Sequence, residues 1–168
     1  MALVRPARDE DAAAIVDICT RGYRHTYPAL LSSEFIERMI AESFHPERVA
    51  KEIAPAPPGR LGYQVAEEDG RVLGAAVGGM IAPEAGELFL LYVDPDELGR
   101  GLGTLLLNRV IDQLRASGAT AVWVAALDGN ELGIPFYEAR GFQKIQRRRT
   151  HGATDADNAW SWLLSRPL

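Results

Sequence analysis

The fold of this 168-residue chain is decided by the stretch Leu88-Phe-Leu-Leu-Tyr-Val-Asp-Pro-Asp-Glu-Leu-Gly-Arg-Gly-Leu-Gly-Thr104. Its apolar beginning, residues 88–93, predicts a buried strand. After the glycine loop, apolar residues recur at the spacing of one helix face: Leu102, Leu106, Val110 and Leu114. Gly118 is placed to end this helix. A glycine loop between a strand and a helix leaves backbone N–H groups free, and the helix dipole favours negative charge there. The stretch therefore predicts a turn that can bind phosphate.

Three phosphate-binding patterns compete for this loop, and its spacing excludes two of them. A Walker-type loop ends in Gly-Lys-Ser/Thr, and the loop contains no lysine. A dinucleotide fingerprint starting at Gly99 has Thr104 where its third glycine belongs. The remaining interpretation is a run of amides around a pyrophosphate, with Arg100 as a mobile counterion. The alternative is that the glycines only make a tight strand-to-helix turn.

The segments on either side of this stretch predict a mixed α/β fold in a single domain, residues 1–168. Before it, the patterns predict strands over residues 3–6, 61–67 and 72–81, and helices from an Asp9 N-cap to about residue 23, after Ser33, and over 46–53. After it, they predict strands over 121–127, 142–150 and 159–164, and a helical region over 130–140. Pro135 starts the regular part of that helix near Ile134. The strand–helix–strand order around the glycine loop predicts a parallel crossover.

Composition limits the classes of partner. With 47% hydrophobic residues the chain can bury a core without disulfides, and its one cysteine, Cys19, is predicted to be a buried structural thiol. A net charge of −5 argues against nucleic acid and weakly favours a cationic acceptor. No apolar run has the length of a membrane span and the first residues lack a signal-peptide core, so we expect a cytoplasmic protein with no membrane partner. His45 and His151 have no neighbours at metal-ligand spacing, so no metal is expected.

A second motif follows the glycine loop: Asn130, then Tyr137 seven residues later, then Gly141-Phe142. Together with the loop, this motif resembles the GNAT superfamily of acyl-CoA-dependent N-acyltransferases, whose central motif is Arg/Gln-x-x-Gly-x-Gly/Ala. The resemblance implies a central mixed sheet of about six or seven strands flanked by about four helices. It also implies acetyl-CoA as co-substrate, and it is compatible with a homodimer. One position departs from the family, because Leu98 stands where Arg or Gln is usual.

The resemblance also implies where coenzyme A binds. The candidate residues are Leu91 and Val93 on the strand, then Leu98, Gly99, Arg100, Gly101, Leu102, Gly103 and Thr104 in the loop, and Asn130. The backbone at Leu91 and Val93 is expected to bind the thioester and pantetheine portions, which requires the strand to splay from its parallel neighbour. Asn130 has an alternative role, because its side chain can simply make the turn after residue 129. Since Leu98 offers no polar side chain, phosphate binding is expected to rest on backbone amides.

Two side chains are candidates for proton transfer. Tyr137 is the candidate general acid, because a phenol is protonated at neutral pH and can give its proton to a departing thiolate. The alternative is a core aromatic packed beside Phe136. Glu87 is the candidate base for the attacking amine, with Glu84 as a weaker substitute, and the alternative is a solvated charge. Strand alternation predicts that Glu87 shares a face with Phe89, Leu91 and Val93, where enclosure would raise its pKa.

The acceptor side is the least determined by the sequence. The resemblance places it near Tyr23, His25 and Tyr27, in a segment rich in polar aromatic residues. The run Arg147-Arg-Arg149 is interpreted as a solvated edge, with attraction of an anionic substrate as the alternative. The predicted function is acetyl transfer from acetyl-CoA to a primary amine of a small molecule or peptide, by direct attack in a ternary complex. The alternative is a non-catalytic acyl-CoA sensor or interaction domain of the same fold.

Overall fold

The computed structural model describes residues 1–168 and contains one seven-stranded sheet with the strand order β1-β2-β3-β4-β5-β7-β6. The strands are β1 (Leu3–Pro6), β2 (Gln64–Glu68), β3 (Arg71–Ala82), β4 (Ala85–Val93), β5 (Ala121–Leu127), β6 (Gln143–Arg149) and β7 (Trp160–Pro167). The helices are α1 (Ala12–Thr26), α2 (Ser33–Ser43), α3 (Pro46–Glu52), α4 (Leu102–Ala116) and α5 (Gly133–Glu138). Only β4 and β5 pair in parallel. The predicted mixed α/β fold is therefore confirmed, as is the parallel crossover through α4.

Helices cover both faces of the sheet. Adjacent residues of β2 point into different apolar layers: Val65 packs with α1–α3, and Ala66 packs with α4. We call these two sides the α1–α3 face and the α4 face. Cys19 belongs to the layer on the α1–α3 face and is fully buried, as predicted. None of the helices has the length and apolarity needed to cross a membrane.

Several element boundaries differ from the sequence prediction. Asp9 does not cap a helix; Asp11 accepts the backbone N–H of Arg8 at 2.7 Å, and α1 begins only at the next residue. Strand β7 runs to Pro167 rather than Leu164, because it pairs with β5 along the whole length of that strand. By contrast, α4 begins at the predicted residue, and α5 begins early enough to hold its proline in the first turn.

A bulge in β4 overturns the predicted alternation around Glu87. Neighbouring β3 residues Val77 and Gly78 pair with Leu90 and Leu88, so one β4 residue between them is extra. Leu88 consequently packs on the α4 face while Leu90 packs on the α1–α3 face, although strict alternation would put them together. Because successive strand residues point to opposite faces, Glu87 faces α1–α3. The expectation that it shares a face with Leu91 and Val93, which pack on the α4 face, is wrong.

The two parallel strands at the centre of the sheet diverge. β4 and β5 pair only over residues 85–88 and 121–124, although both strands continue beyond these pairs. From residue 89 onward, β4 has a partner on its β3 side alone. The sheet therefore opens between these strands, as the sequence-based expectation for a bound thioester required.

Candidate active site

A cavity of about 850 Å³ occupies the opening between β4 and β5 and reaches residues packed on both faces of the sheet. It brings together nearly every candidate residue from the sequence: Tyr23, His25, Tyr27, Glu87, Leu91, Val93, Leu98, Gly99, Gly101, Leu102, Gly103, Thr104, Asn130 and Tyr137. Arg100 and the substitute base Glu84 do not line it. The site is thus a passage that joins the glycine loop on one side of the sheet to the α1–α3 face on the other.

The glycine loop presents an uninterrupted set of hydrogen-bond donors. Gly99 and Gly101 have φ angles of +81° and +79°, a conformation that favours glycine, and a Cβ at either position would meet open space. Glycine is therefore required here by backbone conformation and not by packing. No backbone N–H from residue 98 to residue 104 donates to a protein acceptor, and the last three of these amides open helix α4. This arrangement fits an anion at the loop.

Two arginines lie near the loop, and only one of them, Arg100, was expected from the sequence to act as a counterion. Arg100 does not line the cavity, and its guanidinium is paired with Glu97 at 2.6 Å and with Glu68. Arg140 lines the cavity and has no carboxylate partner. Its Nε and Nη2 donate to the Thr104 hydroxyl at 3.0 and 2.7 Å, and its Nη1 donates to a backbone carbonyl at 2.8 Å. The cation beside the free amides is therefore Arg140, which the sequence analysis did not select.

The position of Arg140 is fixed by helix α5. Its guanidinium carbon lies 3.8 Å from the ring centre of Phe136, one helical turn earlier. The sequence contains this aromatic–arginine pair at i,i+4, but it does not show that Thr104 on α4 would receive the guanidinium. The contact between Arg140, in the turn after α5, and Thr104 places a positive charge in the first turn of α4.

Tyr137 lies in the aromatic core with its hydroxyl open to the cavity. The ring packs edge-on against Phe136 and Phe142, with centroid distances of 5.2 and 5.4 Å. Its hydroxyl has no hydrogen-bond partner in the protein, and it is accessible rather than fully buried. Burial raises the pKa of this phenol, so it stays protonated at neutral pH. The ring therefore packs beside Phe136, as in the alternative interpretation, while the hydroxyl has no protein partner, and its role as general acid stays a prediction.

Asn130 makes the turn that starts α5. Its side-chain oxygen accepts the N–H groups of Leu132 at 3.1 Å and Gly133 at 2.8 Å, which satisfies the free end of the helix. The residue is 8% exposed and lines the cavity. Its oxygen is therefore occupied by positioning the helix that carries Tyr137.

Glu87 is a half-enclosed carboxylate without a partner. Its side chain makes no hydrogen bond or ion pair with the protein, whereas Glu52 and Glu97, which also line the cavity, are paired with arginines. Burial raises the pKa of Glu87, and nearby Arg148 and His151 oppose that rise. A carboxylate with a raised pKa and free oxygens is suited to accept a proton near neutral pH.

Aromatic side chains form the wall of the cavity on the α1–α3 face. The Tyr23 and Tyr27 rings meet with centroids 4.5 Å apart, and Phe44 packs 5.9 Å from Tyr23 and 6.0 Å from Tyr92. The hydroxyls of Tyr27 and Tyr92 lie 3.4 Å apart. Burial raises the pKa of both phenols, so neither ionises at neutral pH. His25 lies on the exposed edge of this wall.

The sequence profile of the acetyltransferase (GNAT) family matches residues 15–142 of this chain. The chain belongs to this GNAT family. It is 32% identical over 100 residues to the ribosomal protein bS18-alanine N-acetyltransferase of Salmonella typhimurium, covering 60% of this chain and 67% of that relative. It is 25% identical over 141 residues to the spermidine N(1)-acetyltransferase of Thermoplasma acidophilum, covering 83% and 87% of the two chains.

Solved structures share the fold over the whole chain. The PaiA N-acetyltransferase from Thermoplasma acidophilum, in complex with coenzyme A, has a TM-score of 0.84 at 22% identity and covers 100% of this chain and 99% of its own. YncA from Salmonella typhimurium, solved with acetyl-CoA, has a TM-score of 0.76 at 25% identity and covers 99% and 94%. The GNAT fold implied by the sequence motifs is thus confirmed. The chain is an acyl-CoA-dependent N-acetyltransferase.

Proposed function

We propose that this GNAT chain transfers the acetyl group of acetyl-CoA to a primary amine by direct attack, with both substrates bound in the cavity at once. One observation carries the proposal: a single passage through the opened sheet holds the free amides of the glycine loop, the Tyr137 hydroxyl and the unpaired Glu87 carboxylate. A covalent enzyme intermediate is not part of the proposal. The only thiol, Cys19, is sealed in the core, and burial raises its pKa.

The residues at the loop fit the pyrophosphate of coenzyme A. Seven consecutive amides, residues 98–104, have no protein acceptor, and the dipole of α4 adds to their positive potential. Leu98 supplies no charge, so we assign that task to Arg140, which is anchored on Thr104 and has no carboxylate partner. The unpaired edge of β4 at Leu91 and Val93 would bind the pantetheine arm, as the sequence motifs implied.

The remaining groups supply proton transfers. Acetyl-CoA brings a thioester carbonyl, whose carbon gains a C–N bond as its C–S bond breaks. Glu87 accepts the proton that the amine loses, directly or through water. Tyr137 donates its proton to the sulfur of the departing thiolate and is reprotonated afterwards. The ammonium form first loses one proton to solvent. From the neutral amine, one proton then passes from nitrogen to Glu87 and one passes from Tyr137 to sulfur, and both residues return to their starting states when Glu87 releases its proton and Tyr137 takes one up.

The relatives do not share one acceptor. By their names, one acts on an alanine of a ribosomal protein and another on spermidine. We therefore assign a primary amine as the reacting group of the acceptor. The charges that line the cavity limit what other groups the acceptor can carry.

Release of free thiol from acetyl-CoA, measured against a panel of amines, tests the proposed function. We expect amine-dependent thiol release by the wild-type chain. Tyr137→Phe keeps the ring and its packing but removes the proton, so kcat should fall by about 10²-fold, the lower range for general acid catalysis. The acetyl-CoA dissociation constant, measured by titration, should change by less than about threefold.

Two results would contradict the proposal in different ways. Saturable acetyl-CoA binding without thiol release from any amine would identify a sensor, the alternative derived from the sequence. Absence of saturable binding below the millimolar range would exclude both the enzyme and the sensor, and leave an interaction domain of GNAT fold.

A further inference from the structure

The acceptor end of the cavity is the end on the α1–α3 face, opposite the glycine loop. There Glu87 of β4 pairs with Gly79 of β3. Gly79 is in close contact with the segment Gly59–Arg60 and with Phe89: a Cβ on it would overlap the Gly59 carbonyl oxygen and lie 2.9 Å from the Phe89 ring. Arg148 lines the same end, near the Glu87 carboxylate. An amine approaching Glu87 therefore meets the Arg148 guanidinium and the His151 imidazole, and Arg60 lines the same cavity.

These two guanidiniums have no carboxylate partners. Arg60 donates only to backbone carbonyls of residues 51 and 54, at 3.3–3.4 Å. Arg148 makes no hydrogen bond or ion pair with the protein, while the other arginine at this end, Arg48, is paired with Glu52 at 2.6 Å. The acceptor end therefore carries three guanidiniums, Arg48, Arg60 and Arg148, against the two carboxylates Glu52 and Glu87, although the whole chain has a net charge of −5.

Strand geometry explains why Arg148 alone of its neighbours is free. Side chains alternate along β6, and Arg147 and Arg149 both lie over the ring of Trp160, with their guanidinium carbons 5.3 and 5.5 Å from its centre. Arg147 is also paired with Asp128 at 2.9 Å, and Arg149 is paired with Asp155. Arg148, between them, points to the opposite side and lines the cavity. The interpretation of this run as a solvated edge therefore holds for two of its three arginines.

We propose that the acceptor is a small zwitterionic amine, with an anionic group such as a carboxylate held by Arg148 while its amine faces Glu87. This inference rests on the proposed function and narrows its substrate class. A guanidinium and a carboxylate form a charge-assisted, often bidentate pair, so the anionic group orients the amine. A polyamine would instead bring a second positive charge against Arg60 and Arg148, with no unpaired carboxylate left to receive it. The local charge thus reverses the preference for a cationic acceptor that net charge suggests.

Matched amine pairs test this inference, using the full chain and the thiol-release assay. Each pair differs by one carboxylate: L-lysine with cadaverine, L-ornithine with putrescine, and L-phenylalanine with phenethylamine. In the wild type, we expect kcat/KM to be at least about tenfold higher for the carboxylate-bearing member of the accepted pair, in line with one charge-assisted contact. Arg148→Gln should abolish that ratio, and Arg148→Glu should invert it.

Arg147→Gln is the control, because it removes an equally exposed arginine one residue away that faces Asp128 and not the cavity. It should preserve the wild-type ratio. A wild type that acetylates the decarboxylated members equally fast or faster, or no carboxylate-bearing amine at all, overturns the inference, as does an equal effect of both substitutions. Acetylation of diamines alone would leave the proposed acetyl transfer intact, whereas loss of acetyl-CoA binding would refute the proposed function itself.

Discussion

At the scale of single residues, the site depends on a carboxylate that the fold does not neutralise. Glu87 lies half-buried between β3 and β5, and nothing in the protein donates a hydrogen bond to it. Burial raises its pKa, which means that ionising Glu87 costs the folded state free energy. Such a cost is expected where a group is kept free for chemistry rather than for stability.

The pH dependence of catalysis follows from this raised pKa. Glu87 accepts a proton only when ionised, so kcat/KM should fall as the pH drops through a pKa above the usual glutamate range. Glu87→Gln should lower kcat/KM by about 10²-fold and remove this acidic limb from the pH profile. The control is Glu84→Gln, since Glu84 is exposed and lies outside the cavity.

Stability provides an independent measurement of the same group. The favourable contribution of protonated Glu87 is complete below its unfolded-state pKa and is lost as pH rises through its folded-state pKa. Glu87→Gln should therefore have a higher Tm than the wild type at neutral pH, with the difference disappearing in acid. If Glu87→Gln leaves the pH profile of kcat/KM unchanged, Glu87 is excluded as the base.

At the scale of elements, the proposed phosphate site combines the glycine loop with Arg140, which follows α5 and lies far along the chain. We predict that Arg140→Met raises the KM for acetyl-CoA about tenfold, because a charge-assisted contact is lost while the aliphatic stem can still pack on Phe136. Arg100→Met should leave this KM within about twofold, since Arg100 does not line the cavity and its charge is already paired with Glu68 and Glu97. Initial-rate kinetics at saturating amine compare the two variants.

A rescue experiment tests whether Arg140→Met weakens acetyl-CoA binding by removing a charge or by disturbing the local structure. Adding Leu98→Arg to the Arg140→Met variant restores a guanidinium at the loop from the other side. We expect it to recover part of the lost affinity for acetyl-CoA. Equal KM values for the Arg100 and Arg140 variants would show that backbone amides alone determine binding.

The same elements show what the sequence can predict. The start of α4 and the turn before it are local, because glycine spacing and helical periodicity specify them within a few residues. The bulge at Phe89 arises from the pairing of β3 with β4, so strand alternation read along β4 alone put Glu87 on the wrong face. The sequence did not indicate Arg140 for a similar reason, since its position near the loop depends on a hydrogen bond to Thr104 on α4. Features that depend on contacts between distant elements are those the sequence did not reveal.

At the scale of the whole molecule, an apolar layer lies on each face of the sheet, and the sheet between them is open where β4 and β5 separate. One layer contains α4 and α5, the other contains α1–α3, and the cavity runs through the gap where β4 and β5 have separated. A ligand in this gap replaces the missing strand contacts from β4 and occupies the free amides at the loop. Binding of acetyl-CoA should therefore stabilise the fold as a whole as well as the loop.

A thermal scan measures the stabilisation of the whole fold, and hydrogen exchange measures the protection of the loop amides. At 100 times its dissociation constant, acetyl-CoA should add about 2.7 kcal/mol to the free energy of unfolding and raise Tm by about 5–10 °C. Amides 98–104 exchange freely without ligand because they lack protein acceptors, and acetyl-CoA should slow them at least about tenfold. Pantetheine, which has no pyrophosphate, should leave them unprotected, and the exposed turn at Asp69–Gly70 serves as an internal control. Protection along β4 without protection at the loop would place the pyrophosphate elsewhere, since no acceptor within the protein reaches these donors.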